Sequence, residues 1–315
     1  MRFAAALGAG HGKAILAGEH FVLDGTTAVA IPLPAFRTEV RFAANGASAG
    51  VTLAPSPAAD LSQTDRRQAV AMLERALALA NVHAGVEATV SSTVPLRRGF
   101  GSSAAFAVAA VQAAWRLAGA GEPPPPSWLD QARAIEALVH GTSSGLDPAT
   151  AMGLGAVAFR GGAIQATISP ATSTKWRRAR WVLVDLGPGP ATSAVIERAN
   201  EARRRMAPVT LRGLIARADS AARSAIAGLR AGDPEAVAVA MGEAGACLEH
   251  LNVVNSEMRA CIAAAVAAGA MAAKQTGAGM GGALLALAPD AETADTVCHH
   301  VAAMAANTWI VETTV

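Results

Sequence analysis

The sequence predicts a mixed α+β fold divided into two domains, and three observations support this prediction. Short apolar runs separated by glycine and proline fill the first 45 residues, which is typical of strands joined by turns. Segments with helical spacing of apolar residues then alternate with further strand-like runs. Polar and basic residues accumulate at 169–180 in a chain of 315 residues, which is long enough for two domains. We therefore place the domains at 1–172 and 173–315.

The elements of the first domain follow one another in a clear order. Three short strands precede a helix in which Val70, Leu73 and Leu77 repeat at helical spacing. A strand then leads through a glycine-containing loop into an apolar helix, and a run of prolines at 123–126 connects this helix to the next. The predicted elements are strands at 14–17, 28–31, 39–42 and 86–94, and helices at 60–79, 103–118 and 127–139.

The second domain is predicted to begin with an apolar strand at 181–186 and to contain mostly helices after it. Its most apolar stretch, 261–273, is too short for the ~20 residues that a bilayer requires, and it is interpreted as a buried, alanine-rich helix. The remaining elements are helices at 193–205, 211–229, 234–251, 257–273 and 291–306, and strands at 282–288 and 308–313.

Charge and cysteine content exclude several classes of protein. The 26 basic and 24 acidic residues nearly balance, so the chain lacks the strong positive field of a nucleic-acid-binding protein. Cys247, Cys261 and Cys298 are odd in number and widely spaced, which favours neither a disulfide framework nor a zinc site and is consistent with a cytoplasmic protein. Only three lysines occur, and two of them, Lys13 and Lys274, lie in the motifs described next.

The first motif is the loop Gly99-Phe-Gly-Ser-Ser103, which precedes a predicted helix. Two glycines permit positive φ angles and close approach to the backbone, and the amino end of the helix offers N–H groups to an anion such as phosphate. This loop has neither the GxxxxGK[ST] pattern of a P-loop nor the GxGxxG pattern of a dinucleotide site. An ordinary capped helix is the alternative interpretation.

The second motif is Lys274-Gln-Thr-Gly-Ala-Gly-Met-Gly-Gly282, between a predicted helix and an apolar strand. Four glycines in six residues make this segment costly to order, which favours a backbone that lies against a ligand. A flexible linker is the alternative, although linkers are seldom flanked by two buried elements.

Isolated polar residues complete the set of candidates. Lys13 begins a strand that ends at Glu19 and His20, and the carboxylates of Glu136 and Asp147 flank a loop rich in serine and glycine. Each of these residues taken alone is more often structural or solvated than catalytic. Together with the two glycine-rich loops they provide a phosphate cradle, magnesium ligands, a cation and a base, which phosphoryl transfer requires.

These segments resemble a known family. Lys13–Gly25, Arg98–Ala105 and Lys274–Gly282 are similar, in this order, to the three motifs of the GHMP kinases. Within that family, the sequence of the first segment looks most like the mevalonate kinases. The same is true of the spacing from Glu136 to the segment His140-Gly-Thr-Ser-Ser-Gly-Leu-Asp147. The resemblance covers nearly the whole chain.

The resemblance implies a fold and a set of residue roles. The fold would combine a ribosomal protein S5 domain 2-like amino-terminal domain with a ferredoxin-like carboxyl-terminal domain, with the active site in the cleft between them. Asp147 would be the catalytic base, Lys13 would favour the attacking hydroxyl, and Ser103 and Glu136 would hold Mg²⁺. The implied ATP-binding residues are Arg98, Gly99, Phe100, Gly101, Ser102, Ser103, Gly277 and Gly279. The implied acceptor-binding residues are Lys13, Glu19, His20, Asp147 and Thr192.

The activity implied by the resemblance is ATP-dependent phosphorylation of the C5 hydroxyl of mevalonate, on the route to isoprenoids. The partners would be small molecules, with no nucleic acid and no membrane, and a homodimer is the candidate assembly. Phosphomevalonate kinase or another GHMP small-molecule kinase is the nearest alternative. A catalytically silent ligand-binding relative and a decarboxylase of the same superfamily are less favoured, because all the implied catalytic residue types are present.

Four positions depart from the family pattern. Arg97 and Met280 occupy positions where glycine is usual, Phe100 replaces leucine, and Ser143 replaces a proline, which is expected to loosen the loop before Asp147. None of these substitutions removes a chemical group to which the resemblance assigns a role.

Overall fold

The computed structural model describes residues 5–45, 50–54, 62–119, 127–141 and 143–313. The proline-rich connector at 123–126 and the predicted start of the first helix, at 60 and 61, lie outside these residues. The strands of the described part are β1 Ala6–Ala17, β2 Ala28–Ala44, β3 Val51–Leu53, β4 Val86–Ser92, β5 Ala156–Arg160, β6 Ala163–Ile168, β7 Arg180–Asp185, β8 Ala272–Thr276, β9 Ala283–Ala288 and β10 Asn307–Glu312.

The helices contain more of the described residues than the strands do. Among the residues that the structure describes, no helix has the length and apolar character needed to cross a membrane. The helices are α1 Gln63–Leu79, α2 Ser102–Leu117, α3 Ser127–His140, α4 Leu146–Ala151, α5 Thr174–Arg178, α6 Thr192–Arg205, α7 Pro208–Ala231, α8 Pro234–Glu249, α9 Ser256–Ala267 and α10 Ala291–Val301, with a 3-10 turn at Phe21–Asp24.

The described residues form two units, and each unit combines several segments of the chain. The first unit lies within Met1–Gly12, Pro34–Pro95 and Gly101–Gly153. The second lies within Lys13–Leu33, Leu96–Phe100 and Leu154–Val315. The chain passes between the units within β1, within β2, and after residues 95, 100 and 153. The division of the sequence at residue 173 stays a prediction.

Helix α2 is the centre of the first unit. In this unit β2 pairs antiparallel with β4, from Thr38 opposite Ser92 to Ala44 opposite Val86, and β3 runs parallel to β4. Helix α2 packs against α1, α3 and α4, and ten of its sixteen residues are buried. All ten are alanine, valine or leucine, so burial of apolar area stabilises the helix although its side chains are small.

Two glycines of β1 allow this strand to lie unusually close to α2. A Cβ atom at Gly8 would lie 2.0 Å from the backbone oxygen of Ala109, and one at Gly10 would lie 2.1 Å from that of Ala105. Glycines two residues apart face the same side of a strand, so together they form a flat surface for the helix. Substitution of either glycine would therefore force α2 away from β1.

The second unit contains a four-stranded antiparallel sheet with the strand order β10-β7-β9-β8. In chain order its strands and crossover helices follow a β-α-β-β-α-β pattern in which α6 to α9 lie between β7 and β8, and α10 lies between β9 and β10. This arrangement confirms the predicted ferredoxin-like sheet. Strands β7 and β9 are almost completely buried, and α10 packs against both of them.

Strand β8 corrects the sequence prediction of a helix at 257–273. Helix α9 ends at Ala267, Gly269 adopts a φ angle of +103°, and the chain then forms a strand whose five residues are all buried. The alanines on both sides of Gly269 do not distinguish a helix from a strand. The polar sequence Lys274-Gln275-Thr276 also does not look like a buried strand. Its side chains are nevertheless buried, because hydrogen bonds and an ion pair satisfy their polar groups.

Two further differences concern β2 and a hairpin. Strand β2 is continuous from Ala28 to Ala44, although separate strands at 28–31 and 39–42 are predicted across its two prolines. The hairpin of β5 and β6 is missing from the prediction. Its turn is Gly161-Gly162, with φ angles of +60° and +81°, and this dipeptide is a signal for a two-residue hairpin loop that the sequence does contain.

A buried carboxylate on α7 fixes the chain just before β2. The Asp219 carboxylate accepts a hydrogen bond of 2.7 Å from the backbone N–H of Thr27 and pairs with Arg223. Burial raises the pKa of Asp219, but the hydrogen bond from Thr27 and the charge of Arg223 outweigh burial and hold the pKa below its ordinary value of 3.8. The ionised form is therefore the one that stabilises this unit.

We expect Asp219→Ala to lower the free energy of unfolding at neutral pH by about 1–3 kcal/mol, because the Thr27 N–H loses its acceptor. Since the folded pKa is depressed, this contribution is complete above pH 3.8 and is lost as the pH falls through the folded pKa. Urea unfolding of both proteins at a series of pH values measures the difference. Arg223→Met is the matched control and should cost less, because it removes only a partly exposed ion pair. An equal loss in both variants would contradict the prediction.

Candidate active site

Lys13 lies in the interior of the second unit, where β1 contacts the first glycine-containing loop. Its side chain is only 2% exposed, and its ammonium group donates to the backbone oxygen of Gly99 at 3.2 Å. The backbone N–H of Lys13 donates to the oxygen of Phe100 at 2.9 Å. The strand and the loop are thus joined by both the backbone and the side chain of this lysine.

Phe100 is placed differently from the other candidates of this loop. Its ring is fully buried and packs edge-on against Trp309 of β10, with the ring centroids 5.8 Å apart. The aromatic replacement of the usual leucine therefore fills the protein core. Any contact of Phe100 with a nucleotide has to come from its backbone.

Glu19 and Lys274 form an ion pair that is almost completely buried. The Lys274 ammonium donates to Glu19 and to the backbone oxygens of Ile15, at 3.2 Å, and of Gln275, at 2.6 Å. Burial raises the pKa of the Glu19 carboxyl and lowers the pKa of the Lys274 ammonium, and their mutual attraction opposes both shifts. Lys274 thus belongs to the buried strand β8 and not to the glycine-rich loop in which the sequence places it.

His20 occupies a strained turn directly after Glu19. It has φ +61° and ψ −40°, and the N–H of Phe21 donates to the oxygen of Glu19 at 2.7 Å across it. The His20 ring nitrogen Nε2 lies 2.8 Å from the backbone oxygen of Ala278. A carbonyl oxygen only accepts hydrogen bonds, so Nε2 carries a proton. Burial lowers the pKa of His20, so the ring is predominantly neutral at pH 7, with the lone pair on Nδ1.

The glycine-rich loop of residues 277–282 packs against the protein itself. A Cβ atom at Gly279 would lie 2.3 Å from the oxygen of Val253, and one at Gly281 would lie 2.9 Å from the Cα atom of Gly189. Met280 donates its N–H to the same Val253 oxygen at 2.9 Å. These positions require small residues whether or not a ligand binds. The glycines therefore have a structural role in packing, which the sequence alone did not indicate.

Both residues that replace glycines of the family pattern keep a left-handed backbone. Arg97 has φ +58° and Met280 has φ +61°. Non-glycine residues seldom adopt this region, so the surrounding structure must stabilise it. Arg97 and Met280 thus adopt a sign of φ that glycine tolerates without strain.

Arg98 pairs with a carboxylate that the sequence analysis did not single out. Its Nε atom lies 3.4 Å from Asp185, which ends strand β7 and also accepts from the N–H of Gly187 at 2.8 Å. A buried aspartate at the end of an apolar strand is a signal that could have identified it. Thr192 is the first residue of α6 and is half-buried, and its side chain makes no hydrogen bond to the other candidates among the described residues.

In the first unit, the amino end of α2 carries the serine pair. Gly101 precedes the helix with φ +79°, and it has no side chain to cap the first turn. Ser102 and Ser103 are the first two helical residues. The first N–H groups of a helix have no intrahelical partner and lie at the positive end of its dipole. This turn is therefore suited to bind an anion.

Glu136 and Asp147 lie on either side of a loop that Ser143 organises. Glu136 is 5% exposed and accepts a hydrogen bond from the hydroxyl of Ser143. The same hydroxyl oxygen accepts from the N–H of Gly145 at 3.2 Å. Ser143 thus ties the loop to Glu136, contrary to the looser loop expected from the loss of proline. Asp147 lies half-buried in the first turn of α4.

The oxygen ligands of the first unit suit magnesium. Mg²⁺ usually keeps several waters and takes one or two protein oxygens, so a carboxylate and a hydroxyl are sufficient. Ser103 and Glu136, to which the resemblance assigns Mg²⁺, are a hydroxyl and a carboxylate of this kind. The described residues contain no group of three or more His, Cys, Asp and Glu side chains that could hold a metal ion, and a site for zinc or another ion that needs more protein ligands is not present there.

Comparison with known proteins identifies relatives along most of the chain. The chain is 28% identical to the mevalonate kinase of Pyrococcus horikoshii over 88% of this chain and 87% of the relative. It is 29% identical to the mevalonate kinase of Aeropyrum pernix, over 89% and 88% of the two chains. A crystal structure of L. major mevalonate kinase in complex with R-mevalonate matches with a TM-score of 0.83 at 23% identity, covering 97% of this chain and 95% of that one.

Two family models match separate parts of the sequence. The model for the GHMP kinases N terminal domain matches residues 66–155, and the model for the GHMP kinases C terminal domain matches residues 225–307. Together they account for more than half of the chain, and the relatives extend the likeness over most of the rest. The chain therefore belongs to the GHMP kinases.

Proposed function

We propose that this kinase transfers the γ-phosphoryl group of ATP to the C5 hydroxyl of mevalonate. The observation that carries the proposal is that relatives named mevalonate kinase align with nearly nine-tenths of the chain. The proposal is further supported by the presence of every residue type that the resemblance requires, at Lys13, Ser103, Glu136 and Asp147.

The nucleotide phosphates are proposed to bind the backbone of residues 98–103 and the amino end of α2. The positive φ angles of Gly99 and Gly101 and the uncapped first turn of α2 support this assignment. Gly277 and Gly279 contribute from the second glycine-rich loop. Ser103 and Glu136 would hold Mg²⁺, which when bound offsets negative charge on the β- and γ-phosphates.

Asp147 is proposed to accept the proton of the attacking hydroxyl. As the bond from the acceptor oxygen to the γ-phosphorus forms, the bond from that phosphorus to the ADP oxygen breaks, and the hydroxyl proton passes to the carboxylate. Lys13 remains protonated and favours the developing alkoxide electrostatically. Glu19, His20 and Thr192 orient the acceptor, so the residues act mainly through position and charge.

The contacts of the basic residues at 177–180 make a phosphorylated acceptor less favoured than mevalonate. Phosphomevalonate would require an additional basic pocket, and Arg177, Arg178 and Arg180 are the densest basic group in the sequence near the predicted boundary. Arg178 pairs with Asp290 at 3.3 Å. One nitrogen of Arg180 donates to three backbone oxygens of residues 177–179. Both guanidinium groups thus already have protein partners, although the Arg178 side chain is 68% exposed.

A coupled assay of ADP release tests the proposal with four acceptors in parallel: mevalonate, phosphomevalonate, galactose and homoserine. We expect turnover that depends on mevalonate and on added Mg²⁺, with little turnover of the other three compounds. Faster turnover of phosphomevalonate than of mevalonate would instead identify the protein as a phosphomevalonate kinase. Binding of ATP and mevalonate by calorimetry without turnover would instead favour the silent ligand-binding relative.

A further inference from the structure

The turn that carries Glu19 and His20 has a backbone conformation that proteins rarely use. The N–H of Phe21 donates to the oxygen of Glu19, two residues earlier, and the φ and ψ angles of His20 are close to those of a γ-turn of the strained type. Such conformations persist only where the surrounding structure holds them, and they occur preferentially at functional sites. The contacts that hold this turn are therefore of interest.

Arg203, near the carboxyl end of α6, supplies the most extensive of these contacts. Its Nη2 atom donates to the backbone oxygen of His20 at 3.1 Å and to the carboxylate of Asp24 at 2.9 Å. Its guanidinium carbon lies 5.6 Å from the centre of the Phe21 ring. The guanidinium thus contacts His20, the middle residue of the γ-turn, and the side chains of Phe21 and Asp24, which follow it in the chain.

Arg203 is also held on its own helix and is not a typical surface arginine. Its side chain is 12% exposed, and its Nη1 atom donates to Asn200 at 3.3 Å. The neighbouring Arg204 differs clearly, because its side chain is 61% exposed and pairs with Glu197 on the same helix. The two adjacent arginines therefore provide a matched pair for experiment, of which only Arg203 contacts the turn.

His20 is consequently fixed at two points. The guanidinium of Arg203 donates to its backbone oxygen, and the oxygen of Ala278 fixes its ring through Nε2. Loss of the first contact removes a charged donor that helps to hold the γ-turn. The backbone from Glu19 to Phe21, and with it the direction of the ring nitrogen Nδ1, would then be held less firmly, although Lys274 and Ala278 still contact the two side chains.

We propose that Arg203 is a positioning residue that keeps Glu19 and His20 in the orientation required to bind the phosphoryl acceptor. This inference rests on the proposed function, since it takes these two residues to be part of the acceptor site. Helix α6 begins with Thr192 and carries Arg203 in its last turn, so one rigid element contributes a proposed acceptor residue at its start and the positioning residue near its end.

The kinetic test compares Arg203→Met with Arg204→Met. We expect Arg203→Met to raise the KM for mevalonate by roughly 10- to 100-fold, with the KM for ATP changed by less than about twofold, because a small displacement of positioning groups is costly. Arg204→Met should match the wild type in both constants. An unchanged KM for mevalonate in Arg203→Met, or equal increases for both substrates, would overturn the proposal.

Two further variants separate positioning from simple loss of an ion pair. Asp24→Asn removes the carboxylate but keeps the donation from Arg203 to His20, so its KM for mevalonate should rise much less than that of Arg203→Met. Arg203→Lys keeps the charge near Asp24 and should partly restore the KM, which provides a measurable variant if the methionine variant folds poorly. Equal effects of Asp24→Asn and Arg203→Met would assign the role to the ion pair and overturn the proposal.

An NMR measurement distinguishes failure of this inference from failure of the proposed function. In protein labelled with ¹⁵N-histidine, the ring signals of His20 are assigned by their loss in His20→Gln, and they should report a neutral ring protonated at Nε2. We expect Arg203→Met, but not Arg204→Met, to shift these signals in the absence of any substrate. If the wild type fails to phosphorylate mevalonate, the proposed function is wrong, and the NMR measurement alone then decides whether Arg203 positions His20. Unchanged His20 signals in Arg203→Met would overturn the role of Arg203.

Discussion

Replacing Asp147 with asparagine is expected to lower kcat for mevalonate by about 10²- to 10⁴-fold, the usual contribution of a general base. Asparagine has nearly the same shape and can occupy the first turn of α4, but its amide cannot accept the hydroxyl proton. The KM for ATP should change little, because the proposed phosphate contacts come from residues 98–103. Steady-state kinetics from the coupled assay measure both constants.

Asp130→Asn is the matched control for this substitution. Asp130 lies on α3, its side chain is 69% exposed, and it pairs with Arg133 at 3.6 Å. Its kcat should equal that of the wild type, while the melting temperatures of all three proteins should be similar. An Asp147→Asn variant that retained more than about a tenth of the wild-type kcat would refute the role of base, because that residual rate exceeds what loss of a base allows.

Replacing Lys274 with methionine is expected to lower the free energy of unfolding by about 3–5 kcal/mol, because Glu19 would remain as a buried charge without its partner. Lys274 is fully buried, and its ammonium group also serves two backbone oxygens, so water cannot easily replace it. Urea unfolding followed by tryptophan fluorescence measures the effect, since Trp176 and Trp181 are buried in the same unit.

The chain contains a matched control with the same chemistry at the surface. Lys175 pairs with Glu235 at 2.9 Å, but the two side chains are 73% and 53% exposed. Lys175→Met should leave the urea midpoint almost unchanged. The double variant Lys274→Met with Glu19→Gln should recover part of the lost stability, because it leaves no unpaired charge inside. Equal midpoints for Lys274→Met and Lys175→Met would show that the buried pair has no special role in stability.

Local patterns in the sequence were sufficient to predict the elements around the first glycine-containing loop. The loop at residues 99–103 and α2 behind it agree with the prediction within about one residue, since glycine ends one structure and an unbroken apolar period starts the next. Similarly, β7 and α6 differ from their predicted bounds by only one residue. The hairpin at residues 156–168 had a comparable local signal in Gly161-Gly162 but was not predicted.

The contacts of the candidate site could not be predicted in the same way. Glu19 and Lys274 are 255 residues apart in sequence, and no periodicity indicates which carboxylate neutralises a lysine in a polar strand. The contact of Arg203 with His20 spans 183 residues, and Arg203 lies beside two further arginines of similar local pattern. The family motifs indicate which residues are candidates for the site, whereas the partners of those residues depend on tertiary packing.

The close packing of the loop at residues 277–282 has a consequence for ligand affinity. Because Met280 and Gly282 donate to the backbone oxygens of Val253 and Gly187, and a Cβ atom at Gly279 or Gly281 would clash with the protein, the folded protein itself holds the loop. The conformational entropy of these six residues is lost during folding, so a nucleotide that binds the loop does not have to supply the free energy to order it. Substitutions at these glycines should therefore weaken folding and nucleotide affinity together, as is expected of a preorganised site.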